Sequence, residues 1–183
     1  MIPDLLLCDL DGTLAVKWEP DILPGRLEEL ARLARPVAIV TNQGGVHAGY
    51  AWRARGEPER AAGYPTVESI IERLENVTEA VPQVRRAYAA FYVGHDGYPL
   101  PEERDDVITT LSTGVPFHAS WRPSWRKPSA GMLHRACCDF GIAPYNALML
   151  GDSDDDKNAA ARLDITFRRV TNQDWEPGFL DVI

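Results

Sequence analysis

Asp9 and Asp11 stand two residues apart in the segment Asp9-Leu10-Asp11-Gly12-Thr13. At the end of an extended run, residues with that spacing point to the same side. Two ionised carboxylates about 4 Å apart repel by about 4 kcal/mol at an effective dielectric near 20. Such a pair binds a cation or holds one proton between its members. Both outcomes suit phosphoryl transfer: magnesium gathers carboxylate and phosphate oxygens together, and a protonated carboxyl can serve a leaving group as general acid. Gly12 lets the chain turn without a Cβ penalty and brings backbone N–H groups close to an anion. A plain surface turn is the competing reading, but a solvated turn rarely follows an apolar run as continuous as Leu5-Leu6-Leu7-Cys8.

A second acidic group lies in Gly151-Asp152-Ser153-Asp154-Asp155-Asp156. Asp152 closes an apolar run, and Asp156 falls four residues later in the first turn of an expected helix. Acids there also suit the helix dipole, a sufficient reason for Asp154 and Asp155 taken singly. The spread of acids is nonetheless larger than dipole compensation alone requires, and either Asp155 or Asp156 can support a metal. Asp152 reads as a direct metal ligand with Asp156 in support. Thr41 ends another apolar run, where a hydroxyl can donate to a phosphoryl oxygen, with Asn42 and Gln43 beside it. Lys127, in Trp125-Arg126-Lys127-Pro128-Ser129, precedes an expected helix whose N-terminus favours anions. Its ammonium could hold the charge of a nucleophile and a transferring phosphoryl group. Taken singly, Thr41 is an ordinary strand-end threonine and Lys127 an ordinary lysine; their order relative to the two acidic groups gives them weight.

These residues need a frame. Leu5–Cys8, Val37–Val40, Tyr88–Val93, Ala147–Leu150 and Ile165–Val170 read as strands, the first two and the fourth apolar on both faces. Leu23–Ala34, the stretch after Thr66 (Val67, Ile70, Ile71, Leu74, Val77), Ser129–Phe140 and Asp154–Leu163 read as helices. Pro24 suits a first turn and Thr66 a cap. Val46–Tyr64 is polar and rich in Gly, Arg and Pro. The segment 94–126 is expected to be an irregular insertion, with room for a short helix around Glu102–Leu111. Strands alternating with helices predict an α/β fold: one domain over 1–183 with a mainly parallel, Rossmann-like sheet, helices on both faces and no large cap. In such sheets ligands bind outside the carboxyl ends of the strands. The clusters at Asp9–Thr13, Thr41–Gln43 and Asp152–Asp156 all fall there.

At 183 residues and 45% hydrophobic content, the chain suits a globular domain, and no apolar stretch approaches the roughly 20 residues of a membrane helix. Met1-Ile2-Pro3-Asp4 leads into the first strand without a basic leader, so a cytoplasmic protein is expected. Cys8, Cys137 and Cys138 form neither a disulfide framework nor a zinc knuckle. The net charge of −8 disfavours a non-specific nucleic-acid coat. Lysines are scarce: Lys17, Lys127 and Lys157 among 19 basic residues.

In order and strand context, Asp9-Leu10-Asp11-Gly12-Thr13, Thr41-Asn42-Gln43, Lys127-Pro128 and Gly151–Asp156 resemble the motifs of the haloacid dehalogenase (HAD) superfamily over Asp4 to about Val170. The resemblance implies a Mg2+-dependent phosphatase, a phosphoric monoester hydrolase working through an aspartyl-phosphate. Asp9 would be the nucleophile and Asp11 the acid and base, with Thr41 and Lys127 completing the catalytic set. The metal would lie on Asp9, Asp11, Asp152 and Asp156, and the substrate on Gly12, Thr13, Asn42, Gln43 and Arg126. Thr41–Val46 and Arg126–Met132 look like a capless subgroup holding histidinol-phosphate phosphatases, heptose bisphosphate phosphatases and polynucleotide 3′-phosphatases. The cysteine/histidine zinc loop of several such sugar-phosphate enzymes is missing: His95 and His118 are too few and too far apart, so no structural zinc is expected. A small phosphorylated metabolite, such as a sugar or amino-alcohol phosphate, is the expected substrate. A 3′-phosphorylated nucleic-acid end is the alternative, for which Trp121, Arg122, Trp125 and Arg126 could supply stacking and charge; His47, Tyr50, Trp52, Arg53 and Arg55 form a similar mix. A non-catalytic phosphate-binding scaffold is the third reading.

Overall fold

Leu6 and Cys8 face one side of the first strand, and Leu5 and Leu7 the other; all four side chains are fully buried. This period of two is what a central parallel strand needs when helices cover both faces. The computed structural model describes residues 3–94, 97–101, 105–170 and 175–181. In chain order these form β1 (Leu5–Cys8), α1 (Arg26–Leu33), β2 (Val37–Asn42), α2 (Gly45–Ala54), α3 (Pro58–Ala61), α4 (Val67–Ala80), β3 (Val84–Ala90), β4 (Val107–Thr110), β5 (Pro116–Ser120), α5 (Gly131–Phe140), β6 (Ala147–Gly151), α6 (Asp154–Ala161) and β7 (Thr166–Arg169).

The strands make one seven-stranded sheet in the order β4-β5-β3-β2-β1-β6-β7, parallel except for β4, which runs antiparallel to β5. The chain starts in the sheet's interior and winds outward in both directions, which is the doubly wound α/β arrangement expected from the sequence. Leu30 of α1 and Ile70, Leu74 and Val77 of α4 pack with Leu6, Cys8, Val37, Ile39, Leu148 and Leu150 on one face. Met132, Leu133 and Ala136 of α5 and Ala159 and Ala160 of α6 pack with Leu5, Leu7, Ala38, Val40 and Met149 on the other. Each fully buried leucine contributes about 2 kcal/mol. Among the described residues no helix is long and apolar enough to cross a membrane.

Several expectations are corrected. The segment 94–126 carries two strands, β4 and β5, rather than only irregular chain. Pro116 stands at the first position of its strand, where a missing N–H costs least, and Gly114 turns the chain at φ 82°. The helix expected around Glu102–Leu111 is a strand over Val107–Thr110, because four successive β-branched residues fit a pleated edge better than a helix; residues 102–104 lie outside the described residues. The polar stretch from Val46 folds as α2 and α3, with Val46, Ala48 and Ala51 buried. Gly45 and Gly49 let α2 approach Pro65 and Tyr64 too closely for any Cβ. The third strand begins at Val84 rather than Tyr88, and α1 begins at Arg26, after Pro24 rather than around it.

The tail packs against α1 and against the edge strand β7, where the Arg168 guanidinium lies 4.0 Å from the Phe179 ring. Trp175 stacks on Phe179 with ring centroids 4.9 Å apart, and the Arg26 guanidinium lies 4.6 Å from its ring. Glu29 accepts hydrogen bonds from the backbone N–H groups of Gly178 (2.9 Å) and Leu180 (3.1 Å), fastening the tail to α1.

Candidate active site

The parallel strands deliver their last residues to one edge of the sheet. β1 ends at Cys8, so Asp9 emerges from its carboxyl end; its N–H still donates to Leu150 O of neighbouring β6 at 2.9 Å. β2 carries Thr41 and Asn42 to the same edge, and β6 delivers Asp152. A cleft of about 270 Å³ opens there, lined by Asp9, Asp11, Lys17, Trp18, Thr41, Asn42, Lys127, Asp152, Ser153 and Asp155.

Lys127 Nζ lies at the centre of the site, 2.7 Å from Asp9 Oδ1, 2.5 Å from Asp156 Oδ1 and 2.8 Å from Val40 O. An ammonium has three protons, and each finds an acceptor. The side chain is 2% exposed and Asp156 is fully buried, so these charges interact with little screening. Burial works against the lysine's charge, but Asp9 and Asp156 outweigh it and hold its pKa above the ordinary value. Burial pushes the Asp9 carboxyl up, to about 7, against the pull of Lys127; Asp156 adds to the rise. Asp152 is also pushed up, by burial and then by Asp156.

Carboxylate oxygens of Asp9, Asp152 and Asp156 lie within 4.8 Å of one another. Two of these three acids, Asp9 and Asp156, pair with the one ammonium. Among the described residues no cationic side chain pairs with Asp152. A hard divalent cation, with oxygen ligands and two positive charges, fits this set. Asp156 is held by α6's first turn: its Oδ2 accepts from Ser153 N (3.1 Å) and Ser153 Oγ (2.6 Å), while Ser153 Oγ accepts from Asp156 N (3.2 Å). The capping box that starts the helix therefore also aims Asp156 Oδ1 at Lys127.

Asp11, expected among the metal ligands, lies outside that group. Its Oδ1 accepts from Arg73 Nη2 (2.8 Å) and Trp18 N (2.9 Å), and its Oδ2 from Gln43 Nε2 (2.9 Å). Gln43 Nε2 also donates to Thr41 Oγ1 at 2.8 Å. Because Thr41 accepts there, its own hydroxyl proton is left to donate into the cleft.

The residues expected to bind substrate divide. Asn42 lines the cleft, but its side chain is joined to Lys127: Nδ2 donates to Lys127 O and Oδ1 accepts from Lys127 N, both at 3.0 Å. Gln43 serves Asp11 and Thr41. Gly12, at φ 75°, gives its N–H to Ala15 O at 2.9 Å, so the turn uses that amide internally. Thr13 is fully buried, and its carbonyl accepts from Arg26 Nε at 3.0 Å. Arg126 lies across Gly44 and Gly94, with Nη1 donating to Tyr92 O at 3.1 Å. His95 falls outside the described residues, and His118 Nε2 pairs with Asp106 Oδ2 at 3.2 Å.

Sequence reasoning missed Arg73, Lys17, Trp18 and Ser153. Arg73 had a legible signal: three residues after Ile70 and four before Val77, it is a cation within α4's apolar stripe. Nothing local in the sequence marks Trp18, which reaches the site because the chain after Gly12 folds back on Asp11.

Residues 124–172 match a family model described as HAD-hydrolase-like. Among solved structures, the chain is similar to D,D-heptose 1,7-bisphosphate phosphatase from B. bronchiseptica, a complex with magnesium and phosphate: TM-score 0.59, 20% identity, 90% of this chain and 78% of that one. It is also similar to a HAD-like phosphatase from Mesorhizobium loti, with TM-score 0.48, 23% identity, and coverage of 90% of this chain and 69% of that one. No curated protein matches the sequence. The chain has the HAD-type Rossmann-like fold and, in that fold, resembles the heptose bisphosphate phosphatases.

Proposed function

We propose that the protein is a magnesium-dependent phosphomonoester hydrolase that works through an aspartyl-phosphate on Asp9 and acts on a small phosphorylated metabolite. The observation that carries this reading is the buried Lys127 ammonium held between Asp9 and Asp156 at the mouth of the sheet, with Asp152 beside them. That is a nucleophile, a charge-bearing cation and a cation-binding acid set in one cleft.

Magnesium on Asp9, Asp152 and Asp156 would offset charge on the phosphoryl oxygens. Lys127 holds Asp9 in place and offsets the charge that accumulates as the phosphoryl group moves. Thr41 donates its hydroxyl proton to a phosphoryl oxygen. Asp11 gives a proton to the leaving oxygen as Asp9 attacks phosphorus, and takes one from the water that later cleaves the aspartyl-phosphate.

Two observations favour a small substrate over a nucleic-acid end. Trp121 and Trp125 are each only 8% exposed. Trp121 packs on Phe91 at 5.1 Å and Trp125 on His118 at 4.3 Å, so neither is a free stacking surface. The cleft that reaches Asp9 is small and carries Lys17 as its outer cation.

The test is phosphate release with magnesium from a panel of sugar phosphates, amino-alcohol phosphates and a 3′-phosphorylated oligonucleotide, with Asp9→Asn as control. Hydrolysis of a small monoester by wild type and not by the variant supports the proposal. Activity confined to the oligonucleotide would move the assignment to a polynucleotide 3′-phosphatase. Binding of magnesium and phosphate without turnover of any substrate would leave a scaffold.

A further inference from the structure

Three donors from three separate stretches of the chain hold the Asp11 carboxylate. Its Oδ1 takes two donors, Arg73 Nη2 and the Trp18 N–H, whereas its Oδ2 takes one, Gln43 Nε2. A carboxylate oxygen has two lone-pair positions, so Oδ1 is full and Oδ2 has one left. Arg73 is 8% exposed and reaches Asp11 from α4, a helix separate in sequence from every motif at the site. The same guanidinium donates to Glu19 O (Nε, 2.8 Å) and Val16 O (Nη2, 3.0 Å). It therefore clamps both ends of the turn that carries Trp18. Trp18 sits at φ 68°, a conformation a bulky residue keeps only when its surroundings impose it.

Resting on the phosphatase reading above, we propose that Arg73 is a positioning residue: with the Trp18 N–H it occupies Asp11 Oδ1 and so makes Oδ2 the oxygen that carries the catalytic proton. In the first half-reaction an Asp9 oxygen bonds to phosphorus, the bond from phosphorus to the leaving oxygen breaks, and the proton moves from Asp11 Oδ2 to that oxygen. In the second, water oxygen bonds to phosphorus, the bond to Asp9 breaks, and the water's proton returns to Asp11 Oδ2. Without Arg73, Oδ1 loses a donor, the turn loses its anchor, and the proton is no longer confined to the oxygen that faces the leaving group.

The effect should follow the leaving group's need for a proton. The measurement is kcat/KM, which reports the first chemical half-reaction, for the best alkyl phosphate of the panel and for 2,4-dinitrophenyl phosphate, whose leaving group departs unprotonated. Arg73→Met is expected to lose about 100-fold or more on the alkyl ester, the range of general-acid catalysis, and less than about 5-fold on the dinitrophenyl ester. Arg73→Lys, with one charged group in place of a fork, should recover part of the alkyl loss. If Arg73→Met does not fold, the same ratio is read from Arg73→Lys. Equal losses on both esters in whichever variants fold, or no folded variant at all, would make Arg73 a structural residue and overturn the proposal. Failure of the wild type on both esters would instead overturn the phosphatase reading itself.

Discussion

Asn42 and Lys127 are joined by two hydrogen bonds of 3.0 Å, Asn42 Nδ2 donating to Lys127 O and Lys127 N donating to Asn42 Oδ1. A strand-end amide thereby fixes the backbone of a loop 85 residues away, and with it the ammonium that lies 2.7 Å from Asp9. Asn42→Ala should lower kcat by about 10- to 100-fold, the scale of a misplacement near 1 Å, with KM within about twofold. Steady-state kinetics on the best substrate decide this. A raised KM with unchanged kcat would return Asn42 to the substrate-binding role that its position alone suggests.

Among the described residues Asp152 is the acid of the cluster with no cationic side-chain partner, so a divalent cation gains most from it. Asp152→Asn should raise the magnesium concentration for half-maximal activity by about tenfold or more. Chelation should abolish wild-type activity, and added magnesium should restore it. Because a cation that binds only the folded chain stabilises it, magnesium should raise the wild-type Tm and leave that of Asp152→Asn nearly unchanged. Equal Tm shifts in the two proteins would count against Asp152 as a ligand.

Much of this was legible in the sequence. β1, β2 and β6 are runs of apolar residues buried on both faces, and a run of that kind has few structural options. Asp9, Thr41 and Asp152 then had to emerge at carboxyl ends. What could not be read was which partner each polar group takes. Asn42 lies beside Thr41 in sequence but bonds to Lys127; Asp11 lies beside Asp9 but faces Arg73 on α4. Those pairings depend on how α4 and the turn at Trp18 close over the strand ends, which no local pattern encodes. The insertion around β4 and β5 was obscured because its prolines and glycines mark strand starts and turns as readily as irregular chain.

Glu29 gives the tail a pH dependence. The Arg32 guanidinium, aided by the backbone N–H groups of Gly178 and Leu180, lowers its pKa from the ordinary 4.5 to about 2. A carboxyl that is more acidic in the folded chain stabilises the fold above its unfolded pKa, and that contribution is lost as pH falls from about 4.5 towards 2. Glu29→Gln should cost about 1–3 kcal/mol at pH 7, the range for hydrogen bonds to a charged group. Urea unfolding of the two proteins should show that gap at pH 7 and a narrower one at pH 3. A gap independent of pH would mean that packing, rather than the charge, fastens the tail.

Gly151 tests the geometry around Asp156 by steric means. It ends β6 without a left-handed φ, so alanine there meets no backbone penalty. A Cβ would instead run into the Cβ and carboxyl group of Asp156. Asp156 has little room to yield, because one oxygen is held by Ser153 and the other by Lys127. The clash must therefore move the acid off the lysine or lift the start of α6. Gly151→Ala should cost about 1–3 kcal/mol in stability, as overpacking does, and lower kcat by about 100-fold even where the protein remains folded. Denaturant unfolding and kcat measured on the same preparation separate the two effects. A folded Gly151→Ala protein with wild-type kcat would overturn this prediction, showing that Asp156 and the start of α6 take up the added Cβ without cost to the chemistry.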